Sequence, residues 1–162
     1  MPILTNLELP NFRQQYQLEN KKIVLVGGCF DVLHKGHILF LEKAKEQGEV
    51  LVVLLESDLR IKELNGAHRP LHLQSDRALV LNALRSVDFV ICLPSVMRDS
   101  DYEKIIFQIS PQVIATTKGD SQIHHKTRIA DLVAAQVVEV MELAEEYSTS
   151  AILEKISSTD SP

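Results

Sequence analysis

Val50 to Leu55 reads VLVVLL, an apolar run with no polar residue on either side of the pleat. A strand of that pattern must bury both faces, which chains achieve in parallel sheets covered by helices on each side. Four further runs read as strands: Ile23 to Val26, Val87 to Leu93, Val113 to Ala115 and Val137 to Met141. Helical segments fill the intervals. Gly36 to Gln47 places Ile38, Leu41 and Ala44 on one face with Phe40 close by, and Gly48 stands where a left-handed cap ends a helix. Ser57 to Pro70 reads as a short helix opening into a surface loop, and Ser75 or Asp76 caps a helix whose apolar side includes Leu79, Val80, Ala83 and Leu84. Tyr102 to Ile109 and Ile129 to Ala135 are further helices, and Ser148-Thr149-Ser150 starts a last one. Alternation of strand and helix predicts a single α/β domain over residues 21–162, a doubly wound parallel sheet of five strands with helices on both faces. Residues 1–20, polar with scattered Leu and Pro, are expected to lie on that domain as an arm or short helix.

A chain of 162 residues suits one core of this kind. With 17 Lys and Arg against 22 Asp and Glu, the net charge is −5, which gives no general attraction to nucleic acid or anionic lipid. The longest apolar run falls far below the roughly 18 residues of a membrane span. Glu8 and Glu19 occupy a terminus that a signal peptide would make basic and then apolar. A cytoplasmic protein with no membrane or nucleic-acid partner is therefore expected. Cys29 and Cys92 lie too far apart for a metal-binding spacing and are too few for a disulfide framework, so both read as small buried hydrophobes.

Sheets of this type bind ligands beyond the carboxyl ends of their strands, which directs attention to the loop after Ile23 to Val26. Gly27 to His37 reads GGCFDVLHKGH and contains the pattern G-x-F-D-x-x-H-x-G-H. A chance match to its fixed positions is on the order of one in a million for a chain of this size. Gly28 lets backbone amides approach a phosphate, and Gly36 does the same at a helix start, where the helix terminus adds partial positive charge. His34 and His37 project the same way in a helical turn and can both donate to one phosphate. With only Asp31 nearby they lack further zinc ligands, so no metal site is expected there. Asp31 is expected to accept backbone amides or steady an imidazole. His68, His72, His124 and His125 show no ligand spacing and are expected at the surface.

This motif resembles that of the H-x-G-H nucleotidyltransferases, which include the cytidylyltransferases, pantetheine-phosphate adenylyltransferase and the ADP-heptose synthase nucleotidyltransferase domain. The resemblance covers almost everything after Lys21 and is greatest to the ADP-heptose synthase domain. Ser57-Asp58 with Lys62 and Arg69-Pro70 resembles that group's basic loop, and Asp76 to Leu81 resembles the helix after it. Lys118-Gly119-Asp120 is similar to its lysine and glycine-aspartate turn, and Tyr147-Ser148-Thr149-Ser150 to its Ser-Thr motif. Gly27 stands where the heptose enzymes usually carry Asn, and Glu145-Glu146 replaces their Glu-Gly. The Arg-Gly pair that precedes the Ser-Thr motif in glycerol-phosphate cytidylyltransferases is absent, which favours ATP over CTP.

The resemblance implies a Rossmann-like fold and attack by a phosphate oxygen of a small phosphorylated acceptor, such as a heptose 1-phosphate, on the α-phosphorus of a nucleoside triphosphate. It makes His34, His37 and Lys62 the catalytic group. Gly28, Cys29, Phe30, Asp31, Gly36, Lys118, Gly119, Asp120, Tyr147, Ser148 and Thr149 are its candidates for nucleotide binding, and Arg60 and Arg69 line the acceptor or phosphate loop. The loop from Ile61 to Pro70 is expected to be mobile until it closes over the triphosphate. Mg²⁺ is expected to travel with the nucleotide, and a homodimer is expected. Two alternatives stay open: a cytidylyltransferase for glycerol phosphate or a similar alcohol phosphate, and a non-catalytic nucleotide-binding module.

Overall fold

In the computed structural model, which describes residues 2–142 and 149–158, the VLVVLL run is strand β3 (Val50–Leu55), and all of it is buried. Its neighbours in the sheet are β2 (Ile23–Gly28) and β4 (Phe89–Cys92), beyond which lie β5 (Val113–Lys118) and β6 (Gln136–Glu142) on one side and β1 (Ile3–Thr5) on the other. The order is β1-β4-β3-β2-β5-β6, and every pairing is parallel. Among the described residues no helix is long and apolar enough to cross a membrane.

The pleat divides the core into two. Ile23 and Leu25 of β2, Val50, Val52 and Leu54 of β3, and Ile114 of β5 face α1 (Phe12–Gln15), α5 (Asp99–Ile109) and α6 (Ile123–Leu132). Val24 and Val26, Leu51, Val53 and Leu55, and Ala115 face α2 (Lys35–Lys45) and α4 (Gln74–Asn82). Helices α3 (Asp58–Asn65) and α7 (Thr149–Ser158) complete the set.

Several expectations need correction. The sheet has six strands, because the terminal arm supplies β1, paired in parallel with β4, and buries Leu4, Leu9, Phe12 and Leu18. A three-residue edge strand owes its order to its partner, which local pattern does not reveal. Gly48 is not left-handed; a side chain there would stand 2.6 Å from the Lys22 carbonyl, so close backbone packing is what requires glycine. Helix α6 begins at Ile123, ahead of the expected Ile129. The stretch from Ile61 to Asn65 belongs to α3 and is not loop, with Ile61 fully buried. On α4, Leu79 and Val80 face solvent, whereas Arg77, Ala78 and Leu81 turn inward. Gln74 shares that inward face, where its amide donates to the carbonyls of Leu55 and Leu93. Half of the inward face is polar, so hydrophobicity selects the wrong side.

Candidate active site

The chain winds outward from β2 through β3 to β4, and then returns to place β5 on the other flank of β2. That reversal opens a crevice beyond the carboxyl ends of β2 and β5. The motif loop leads from β2 into α2 on one lip. His34 is the extended N-cap of α2, and its Nδ1 accepts a hydrogen bond from the Gly36 N–H at 3.1 Å. The Gly36 amide therefore serves the cap. With its lone pair at Nδ1, the neutral imidazole carries its proton on Nε2, which leaves Nε2 as a donor.

His37, three residues further on, stacks on His34 with centroids 3.8 Å apart and planes 28° from parallel. Phe30 packs against His37, ring centroids 5.1 Å apart. It holds a left-handed φ of 45°, a strained backbone for an aromatic residue, and its ring lies over Gly28, where a Cβ would come within 2.9 Å. Gly28 and Phe30 thus position the histidine pair. Burial lowers the pKa of both rings, and the neighbouring His34 lowers that of His37 further, to about 4. The buried Nδ1 of His37 completes no hydrogen bond, although the Val32 carbonyl is near enough to favour protonation slightly. Both rings are therefore neutral at pH 7, so each offers one N–H and one lone pair there and neither is a fixed cation.

The remaining motif residues build the frame. Asp31 is buried and accepts from the Leu71 N–H at 2.8 Å, the His72 N–H at 3.1 Å and Arg69 Nε at 2.5 Å. Burial pushes its carboxyl up, but these hydrogen bonds prevail and hold it below the ordinary range. Asp31 and Arg69 Nε thus anchor residues 69–72 to the motif loop. Arg77 is a positioning residue that sequence reasoning missed. Its guanidinium is 2% exposed and donates to the carbonyls of Cys29, Glu56 and His72 and to the Asp58 carboxylate. One side chain ties together the loops after β2 and β3 and the start of α4. An inward Arg at the helical spacing of Gln74, Ala78 and Leu81 was the available signal.

Lys118, Gly119 and Asp120 form the opposite lip, at the end of β5. Lys118 is exposed and pairs with Glu142 at 3.0 Å, a surface contact that a ligand can displace. Asp120 accepts from Thr116 Oγ1 at 2.5 Å, Lys126 Nζ at 2.6 Å and the Gln122 N–H at 2.8 Å, so its carboxylate is engaged within the turn. Lys62 is exposed on α3 and pairs with no carboxylate among the described residues, while Arg60 pairs with Glu63 in solvent. Cys29 and Cys92 are half-buried, and burial raises both thiols. His68, His72, His124 and His125 are exposed. Thr149 opens α7, whereas Tyr147 and Ser148 lie outside the described residues. Among the described residues no three His, Cys, Asp or Glu side chains converge on a metal-ion position.

The chain has counterparts among known proteins. The family model described as cytidylyltransferase-like matches residues 25–160. The chain belongs to that family. Within it, the chain is 38% identical over 154 residues to the bifunctional protein HldE of Wolinella succinogenes, and 39% identical over 142 residues to that of Helicobacter pylori. These matches cover 95% and 88% of the chain but only 31% and 29% of the relatives, so it spans about a third of their length. Solved structures share the fold. A lipopolysaccharide core biosynthesis protein from Thermoplasma volcanium superposes with TM-score 0.60 at 23% identity, over 77% of this chain and 98% of that one. Pantothenate synthetase from Thermus thermophilus does so with TM-score 0.64 at 19% identity, over 94% and 67%.

Proposed function

We propose that the chain transfers a nucleotidyl group, adenylyl in preference to cytidylyl, from a nucleoside triphosphate to a phosphorylated sugar such as a heptose 1-phosphate, releasing pyrophosphate. The observation that carries this reading is the stacked His34 and His37 pair at the start of α2, placed at the switch point. An oxygen of the acceptor phosphate attacks the α-phosphorus, the bond to the β-phosphate oxygen breaks, and pyrophosphate leaves. No covalent intermediate with the protein is needed. Negative charge grows on the equatorial oxygens of the transition state, and two neutral donors fixed side by side stabilise it there more than in the ground state. Lys62 supplies a cation from α3 to the α and β phosphates. Lys118 and Asp120 meet the base or ribose from the opposite lip, and Tyr147, Ser148 and Thr149 meet the β and γ phosphates. The triphosphate arrives as its Mg²⁺ complex, so the ion is part of the substrate.

The preference for ATP follows from the likeness to the HldE proteins and from the missing Arg-Gly pair. We also propose that the protein works in the cytoplasm as a homodimer. Exposed Leu73, Leu79 and Val80 on and beside α4 offer apolar surface for a second copy. Pyrophosphate release, scored over ATP, CTP, GTP and UTP against a panel of sugar and alcohol phosphates, tests the reaction. ATP with a sugar phosphate should give the highest kcat/KM. A higher value for CTP would overturn the adenylyl assignment, and nucleotide binding without turnover on any acceptor would establish the binding module instead. Light scattering after size exclusion tests the dimer, which a monomeric mass would exclude.

A further inference from the structure

On the side of the sheet that faces α5 and α6, the carboxyl ends of β2 and β3 carry polar groups that no step above uses. Alternation along β2 brings Gly27 to the face of Ile23 and Leu25, and along β3 it brings Glu56 to the face of Val50, Val52 and Leu54. The ladder extends that far, because the Glu56 N–H donates to the Gly28 carbonyl at 3.1 Å. Tyr102 of α5 packs against the same core, and its hydroxyl stands 4.0 Å from where a Cβ on Gly27 would lie. Glu56 and Tyr102 sense each other: burial and then the Glu56 charge raise the phenol to about 12. Among the described residues the half-buried Glu56 carboxylate makes no hydrogen bond or ion pair, although Arg60 and Arg77 are near enough to favour its charge.

A carboxylate in that position repels phosphate and welcomes neutral donors. Arg60 and Arg77 offset only part of its desolvation, and donated hydrogen bonds offset more. We infer that Gly27, Glu56 and Tyr102 form a hydroxyl-binding subsite for the acceptor: Glu56 accepts from neighbouring hydroxyls of a polyhydroxylated phosphate ester, and Tyr102 borders the space that Gly27 leaves open. This rests on the nucleotidyl-transfer reading, and it makes the acceptor a sugar phosphate and not a simple alcohol phosphate. Neighbouring hydroxyls also occur on the nucleotide's ribose. The β5 lip is proposed above for the base or ribose, and the 2′-deoxy-ATP arm of the test separates the ribose from the acceptor at the subsite between β2, β3 and α5.

The test compares Glu56→Gln, Tyr102→Phe and Gly27→Val with the wild type, all with Mg²⁺ and ATP. Sugar-phosphate acceptors are paired with deoxy analogues, and ATP with 2′-deoxy-ATP. Circular dichroism confirms that each variant folds. Glu56→Gln should raise KM for the sugar phosphate about tenfold and Tyr102→Phe somewhat less, because a site built to bind hydroxyls leaves polar groups unpaired without them. The penalty of Glu56→Gln should shrink below about twofold when the deoxy acceptor is used, since the lost partner is then missing already. Gly27→Val should raise the acceptor KM with Glu56 and Tyr102 intact. Equal penalties on every acceptor, or none, would overturn the subsite. A penalty that disappears with 2′-deoxy-ATP would assign Glu56 to the ribose and overturn it too. Failure of the wild type to release pyrophosphate with any acceptor would instead remove the transferase reading. Calorimetric titration with sugar phosphates then decides the subsite: binding that Glu56→Gln abolishes supports it, and no binding by the wild type overturns it.

Discussion

His34 has two jobs that substitution can separate. As N-cap of α2 it holds the Gly36 amide, and in the proposed reaction it also donates to the transferred phosphate. His34→Ala loses both, at about 1 kcal/mol of stability for the cap. His34→Asn keeps a capping side chain and loses the imidazole. Both variants, and His37→Ala, should lower kcat more than tenfold with circular dichroism unchanged. Turnover near the wild-type rate in any of them would exclude that histidine from the chemistry. The pH dependence of His37 follows from its burial. Its folded pKa of about 4 lies below the ordinary histidine value of 6.5, so between these pH values the unfolded chain binds a proton that the folded chain refuses. The stability contributed by a neutral His37 is complete above pH 6.5 and is lost as pH falls towards 4. Denaturant unfolding at pH 7, 5.5 and 4.5 should show a steeper loss for the wild type than for His37→Gln, and equal slopes would refute the shift. Both histidines were legible in the sequence because they sit in one contiguous motif that follows a glycine loop and a buried strand. Their stacking, their neutrality and the role of Phe30 as a support were not, since these depend on a left-handed residue folding its ring back over Gly28.

At the scale of elements, the site is held by α4 and by the segment before it. Arg77 bridges three carbonyls and Asp58 from inside the fold. Arg77→Ala should cost about 3–5 kcal/mol, as expected when one partner of a buried pair is removed, and should lower the thermal midpoint. A loss below about 1 kcal/mol would show that the loops hold their places without it. Helix α3 makes the closing segment shorter than its sequence suggests. Ile61 is buried and Arg69 is fixed to Asp31, so nucleotide with Mg²⁺ should slow hydrogen exchange mainly from Asn65 to His68. Lys62→Ala should lower kcat more than it raises KM for ATP. Unchanged kinetics would leave Lys62 as a solvated surface charge. The basic character of this stretch was readable in advance, but its division into helix and tether was not, because the tether is made by a carboxylate 38 residues away.

For the whole molecule, the terminal arm matters more than its composition suggests. Phe12 is fully buried and meets Phe89 edge-on at 5.0 Å. Phe12→Ala should therefore cost about 3–5 kcal/mol, the usual loss for a large core side chain. Chemical denaturation measures this directly, and a change under about 1 kcal/mol would show that the arm only rests on the domain. The sequence by itself determined the α/β class, the parallel sheet and the motif loop on which the proposed chemistry rests. These follow from two-faced apolar runs and from a motif whose residues are neighbours along the chain. Only the tertiary structure decided that β1 joins the sheet, that α4 turns a half-polar face inward, that Asp31 and Arg69 serve each other, and that Tyr102 comes beside Gly27 on the face that Glu56 shares. Each of these joins residues distant in sequence, and the energy that fixes them comes from strand pairing, burial and hydrogen bonds that exist only once the chain has folded.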